Sequence, residues 1–117
     1  MKIVENMIQN KSFRFALRIV KLCRYLQSEQ KEFILSKQLL RCGTSIGANV
    51  AESEHAQSRA DFSSKLNIAL KEAAETDYWL RLLHEADILN DQQFYSIYTD
   101  CQEIERLLAS IVKTTKN

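Results

Sequence analysis

Apolar residues recur at helical spacing along four stretches of the chain, and short polar breaks separate them. The pattern predicts helices near residues 8–29, 35–54, 59–87 and 91–114. In the first, Phe15, Ile19, Leu22, Cys23 and Leu26 form one apolar stripe. Lys11, Arg14, Arg18 and Lys21 form a second stripe, about 100° round the helix axis. The second stretch offers Ser36 as an N-cap and places Leu39, Cys42 or Gly43, Ile46 and Val50 on one face. Gly43, Gly47 and Ala51 recur at every fourth position there and make a smooth ridge, along which another helix backbone can approach closely.

The third stretch is the most regular. Ser58 to Asp61 resembles a capping box. Phe62, Leu66, Ala69, Ala73, Thr76, Leu80 and Leu83 then alternate steps of 4 and 3, the a and d positions of successive heptads. Ile68, Glu75, Trp79 and Leu82 border that seam, so the apolar face is wider than a two-stranded zipper needs and suits a four-helix bundle or a subunit contact. Leu89-Asn90-Asp91 breaks the pattern and starts a fourth helix with Phe94, Ile97, Cys101, Ile104, Leu108 and Ile111 inside. The tail from Lys113 to Asn117 is expected to fray. Short connections between four helices give an all-α, antiparallel up-down-up-down bundle occupying residues 1–117 as one domain.

Composition sharpens this picture. The 117 residues contain no proline and two glycines, too few punctuators for a chain of strands and tight turns. No apolar run is long enough to span a membrane, and Glu5, Asn6 and Gln9 interrupt any signal-peptide core. Cys23, Cys42 and Cys101, an odd number at wide spacing, point to free thiols in a reducing cytoplasm. Net charge is +1, but residues 1–31 carry seven Lys/Arg against two Glu while residues 61–90 carry three against six acids. A basic first helix and an acidic third can attract one another within or between subunits. Any nucleic-acid binding has to be local, because the chain as a whole is nearly neutral.

Several constellations suggest chemistry. Gly43-Thr44-Ser45-Ile46-Gly47 spells the G-x-S-x-G of a hydrolase nucleophile elbow, and Asp61 or Asp77 and then His84 follow in the matching order. That motif acts where a strand turns into a helix, whereas the preceding LSKQLLR reads as helix, so Ser45 is not expected to be a nucleophile. A di-iron carboxylate site needs Glu-x-x-His on two helices. Glu52-Ser53-Glu54-His55 supplies one copy, but Arg81 stands where the copy before His84 needs an acid. No metal and no cofactor are expected. Glu72 with Thr76 and Asp77 with Arg81 lie four apart and can pair along the helix, while Tyr78 and Trp79 read as core or interface anchors. The basic stripe of Lys11, Arg14, Arg18 and Lys21, with Lys2 and Arg24 nearby, is either a solvated flank or a surface that neutralises phosphates, with Tyr25 able to stack on an unpaired base.

LLRCGTSIGANVAE at 39–52 and DFSSKLNIALKEAAETDYWLRLL at 61–83 closely resemble the bacterial four-helix-bundle family of 23S rRNA intervening-sequence proteins, whose relatives include accessory proteins of diversity-generating retroelements. The resemblance covers about residues 8 to 113, with Ser53 where many members carry glycine. It implies an antiparallel four-helix bundle assembled into a homopentamer, with no enzymatic activity known for the family and no membrane role. The retroelement relatives bind nucleic acid and a reverse transcriptase through basic surfaces. The family's association with 23S rRNA genes is genomic and does not make its members ribosomal proteins. By the signature, Gly43, Ser45, Gly47, Asn49, Glu52, Glu75 and Trp79 take structural or interface roles. The expected function is a non-enzymatic, oligomeric scaffold that binds structured RNA or DNA through Lys11, Arg14, Arg18, Lys21 and Arg24. A protein–protein adaptor is the alternative, and a metal-dependent oxidase a remote one.

Overall fold

The computed structural model describes residues 2–115 as four α-helices: α1 (Lys2–Ser28), α2 (Leu35–Ser53), α3 (Arg59–Glu85) and α4 (Asp91–Thr115). No strand occurs among the described residues. The helix ends depart from expectation by a residue or two, with two exceptions. α1 begins at Lys2 rather than near residue 8, because the buried stripe continues backward through Ile8, with Val4 packed against it. α4 runs through Lys113 and Thr115 instead of fraying, and Thr115 Oγ1 donates to Ser63 Oγ on α3 at 3.2 Å. Residues 116 and 117 of the expected frayed tail lie outside the described residues.

Local side chains set the helix starts. Ser36 is not the cap of α2. It is buried, and its hydroxyl donates to Glu32 O at 2.7 Å. The carboxylate of Glu32 caps instead, accepting from Ile34 N–H at 3.2 Å, Leu35 N–H at 3.0 Å and Ser36 N–H at 2.7 Å. Burial pushes the Glu32 acid up, but these backbone bonds outweigh it and hold the group below its usual range. Ser58 does cap α3, accepting from Asp61 N–H at 3.0 Å. The return bond from Asp61 reaches Gln57 N–H at 3.2 Å, one residue earlier than a standard capping box. At α4 the box is complete, with Asn90 Oδ1 accepting from Gln93 N–H at 2.8 Å and Gln93 Oε1 from Asn90 N–H at 2.9 Å. α3 ends in a Schellman turn. Asp87 takes φ 61°, its N–H bonds His84 O at 3.0 Å, and Ile88 N–H bonds Leu83 O at 2.9 Å.

Consecutive helices pack against one another, and α4 returns to α1 over a much thinner seam. The antiparallel register is visible in side-chain bonds, with Gln9 at the start of α1 donating to Val50 O at the end of α2. Cys23 near the end of α1 likewise meets Ser36 O at the start of α2. A 27-residue helix is about 40 Å long, so α1 and α3 run the length of the 44 Å long axis. The core draws Phe15, Ile19, Cys23 and Leu26 from α1, Leu39, Ile46 and Val50 from α2, Leu66, Ala69, Ala73, Leu80 and Leu83 from α3, and the predicted inner face of α4. Leu22 and Phe62 are only half-buried. The buried hydroxyls of Ser12, Ser53 and Thr76 donate to carbonyls of their own helices, leaving no orphaned side-chain polar atom among the described residues.

The two glycines are explained by contact with α1. A methyl group at Gly43 would lie 2.8 Å from Ile19 Cγ2, and one at Gly47 would lie 3.2 Å from Ser12 O. Here the backbone of α2 comes within touching distance of α1. Ala51 does not extend this ridge, because it is exposed.

Candidate functional site: the basic face of the first helix and the signature seam

α1 and α3 lie on the diagonal of the bundle, and their backbones stay apart among the described residues. The intramolecular partner of the basic helix is α4. Lys11 Nζ meets Glu103 at 3.0 Å, and Arg18 meets Asp100 at 2.5 Å while also donating to Ser96 Oγ at 2.7 Å and Ser96 O at 3.2 Å. Ser96, Asp100 and Glu103 recur at i, i+4 and i+7, so one line of α4 faces the stripe. Such half-exposed pairs contribute about 0–1 kcal/mol each. Their importance here is that they occupy two of the predicted phosphate-binding cations. Arg14, Lys21 and Arg24 stay exposed, and none forms an ion pair among the described residues. Arg14, Lys21 and Tyr25 fall on one line at i, i+7 and i+11. Beside it, Phe13 is 66% and Leu17 48% exposed.

The signature polar positions of α2 and α3 contribute to a second feature, the seam between these helices. Ser45 Oγ donates to Arg41 O at 2.7 Å, and Asn49 Nδ2 donates to Ser45 O at 2.9 Å, so both tie back into their own helix. Glu52 crosses to Lys65 at 2.8 Å. Arg41 crosses to Glu72 at 3.3 Å and to Glu75, whose carboxylate also accepts from the Trp79 indole at 3.1 Å. The Arg41 guanidinium, aided by the Trp79 N–H, holds the Glu75 carboxyl below its usual range. Glu75 therefore fixes the Trp79 ring and joins two helices at once.

Reactive chemistry is absent from the geometry of the obvious candidates. Ser45 lies mid-helix, and its hydroxyl is committed to a backbone carbonyl. Burial pushes the Cys23 thiol up to about 12, with Cys42 and Glu32 adding to the effect, and raises Cys42 and Cys101 as well. All three stay protonated thiols at neutral pH. His84 bonds Asp91 at 2.7 Å and stacks on Phe94, while Arg81 is bound to Asp77 at 2.8 Å. Thr76 meets the backbone carbonyl of Glu72 and not its carboxylate. Among the described residues no group of three His, Cys, Asp or Glu is arranged to hold a metal ion.

Residues 5–110 match the model of the 23S rRNA-intervening sequence protein family. The chain belongs to that family. No curated protein sequence matches it. A solved structure from Bacteroides thetaiotaomicron VPI-5482, a protein with unknown function from the S23 ribosomal protein family, is 57% identical over 94% of this chain and 98% of that one, with a TM-score of 0.92.

For this 23S rRNA-intervening sequence family member, the signature positions other than Ser45 and Asn49, which bond carbonyls of their own helix, divide into two jobs. Gly43 and Gly47 admit α1, whereas Glu52 and Glu75 join α2 to α3, with Trp79 held by Glu75 on its own helix. Glu72, expected to pair with Thr76, instead joins Arg41 and Lys65 in completing that seam; Arg41 and Lys65 were not singled out from sequence, although Arg41 shares the helical line of Ser45 and Asn49. The acidic line of α4 was missed for a different reason. Asp100 and Glu103 look like ordinary surface residues until α4 is placed beside α1.

Proposed function

We propose that the protein is a cytoplasmic, non-enzymatic scaffold that self-assembles and binds structured nucleic acid through the outer line of α1. The observation carrying this reading is that Arg14, Lys21 and Arg24 are exposed cations without acidic partners among the described residues, with Tyr25 placed to stack on a base. Lys11 and Arg18 belong to the α1–α4 seam and support the binding row from behind. Three phosphate contacts per protomer predict a log–log salt slope of about −2 to −3 for each engaged protomer. A ring of copies multiplies a weak site through avidity.

Assembly draws on a separate set of residues. Phe13 and Leu17 on α1 and Ile68, Tyr78 and Leu82 on α3 are exposed large apolar side chains on diagonal helices. Two unlike patches on different sides favour a head-to-tail contact, which generates a ring when its rotation closes and an open filament when it does not. The homopentamer suggested by family resemblance is such a ring, and light scattering should give about five times the 13.6 kDa chain mass. A monomer at working concentration would refute it.

The binding test uses fluorescence anisotropy on a labelled RNA hairpin across a salt series, with a DNA hairpin in parallel. Reversing Arg14, Lys21 and Arg24 to glutamate should abolish binding while leaving the helical spectrum intact. Binding that ignores salt, or survives the triple variant, would sink the assignment. A protein–protein adaptor is the second reading, favoured by the same exposed apolar residues. Nuclease-resistant recovery of one defined protein, with no RNA or DNA bound, would decide for it.

A further inference from the structure

The thinnest seam of the bundle, where α4 returns to α1, leaves a groove of about 480 Å³ beside the basic line. Its origin is local. Ser96 is a small side chain, and Arg18 reaches across to bond its Oγ at 2.7 Å and its carbonyl at 3.2 Å. From Arg18 to the end of α1, no further side-chain hydrogen bond joins these two helices among the described residues. Half-buried Leu22 and buried Ile97 form an apolar floor there. Lys21 on the α1 rim and Gln92 on the α4 rim are exposed, so the groove opens to solvent. Gln93 also lines it, and its Oε1 is used by the α4 cap, which leaves the amide N–H groups to donate. No carboxylate is among the lining residues.

These parts match the two kinds of surface on a nucleobase. Base faces stack on flat side chains, guanidinium planes included, and base edges hydrogen-bond to amides. The bonds to Ser96 and Asp100 hold the Arg18 guanidinium in place, so its plane is set before any ligand arrives. The volume falls within the roughly 300–1,000 Å³ of ligand pockets. Two cations on one wall, with no acid lining the groove, favour an occupant that carries phosphate over an uncharged peptide. An open groove favours a base still attached to its strand, because the backbone can stay in solvent while the base enters. Lys21 supplies the connection. It stands at the rim of the groove and also on the exposed line of Arg14, about 10 Å further along the helix.

We propose that the groove takes up one unpaired base from a strand bound along α1. The base lies against the Arg18 guanidinium and the apolar floor, its edge meets the Gln92 and Gln93 amides, and its phosphate rests on Lys21. The inference rests on the nucleic-acid reading above and adds which part of the nucleic acid is recognised. A continuous duplex keeps its bases stacked and paired, so it engages the cations alone, whereas a bulge or loop offers a base at little cost.

The test compares two RNA hairpins, identical except for one bulged uridine in the stem, by fluorescence anisotropy at a fixed salt concentration. The bulged hairpin should bind about tenfold more tightly, as expected for one added stacked base. Gln92 is exposed, so Gln92→Ala should fold normally, and it should bring the two affinities together. With 4-thiouridine at the bulge, irradiation should cross-link the base to Leu22, Gln92 or Ile97, identified by mass spectrometry. Equal affinities of the wild type for the two hairpins would overturn the groove and leave the binding row on α1 standing. An undiminished preference in Gln92→Ala, or a cross-link confined to Tyr25, would do the same. Failure of both hairpins to bind would overturn the groove together with the nucleic-acid reading.

Discussion

Gly43 gives the sharpest test of the close approach between α1 and α2. A methyl group there would sit 2.8 Å from Ile19 Cγ2, 2.9 Å from Cγ1 and 3.1 Å from Cδ1, well inside the roughly 3.5–4.0 Å of comfortable carbon contact. Ile19 is fully buried, and a β-branched side chain in a helix has essentially one χ1 rotamer, so it cannot swing away. Two effects oppose one another in Gly43→Ala. Helix propensity favours alanine by about 1 kcal/mol, and overpacking costs about 1–3 kcal/mol. The net expectation is a loss of about 1 kcal/mol. Ile19→Ala alone should cost about 2–5 kcal/mol through the cavity it leaves. In that background the added methyl has room, so Gly43→Ala should stabilise by about 1 kcal/mol. The double-mutant cycle then yields a coupling of about 1–3 kcal/mol. Urea unfolding followed by far-UV circular dichroism, with all four proteins at one concentration, measures each corner. Equal effects of Gly43→Ala in both backgrounds would show that the glycine is not there to admit Ile19.

Two further outcomes follow from the helix ends. Glu32→Gln should cost about 1 kcal/mol at neutral pH, by weakening the charge-assisted cap of α2. Because the folded Glu32 acid is held below its usual range, that difference is present above the unfolded value and should vanish as pH falls through the folded one. A cost that persists in strong acid would count against the cap. Asp87→Gly should stabilise by about 0.5–1 kcal/mol, because glycine takes the left-handed backbone of the Schellman turn without strain. An unchanged or lowered unfolding midpoint would contradict it.

The heptad steps of α3 and the inner face of α4 could be read directly, because a bundle core leaves a strict periodic trace and both helices bury what the period assigns them. Ser36 and Ala51 mislead for the same reason that Glu32 and Ile8 are overlooked. Residue type marks a capacity, while position relative to a neighbouring helix decides its use. A serine can cap, but Glu32 reaches three N–H groups from the turn outside α2. The basic stripe shows the limit most clearly. Five cations look equivalent in a one-dimensional pattern, and only placing α4 beside α1 separates Lys11 and Arg18 from Arg14, Lys21 and Arg24. The Glu75–Trp79 bond is local enough to be seen at i, i+4, whereas its Arg41 partner is a tertiary fact.

The thin return of α4 to α1 bears on how the chain reaches this state. The other helix pairs are neighbours in sequence and can form as hairpins, each closing a short loop. Lys11–Glu103 and Arg18–Asp100 join positions 92 and 82 residues apart, so their loop-closure entropy is the largest in the molecule. A low-contact-order chain of three hairpins should assemble quickly and close this edge last. The same edge should open first in native-state hydrogen exchange, uncovering Phe15 and Ile104 while α2 and α3 stay paired. Bridged at its rim by two solvent-facing ion pairs, it is a latch whose opening rate added salt should tune.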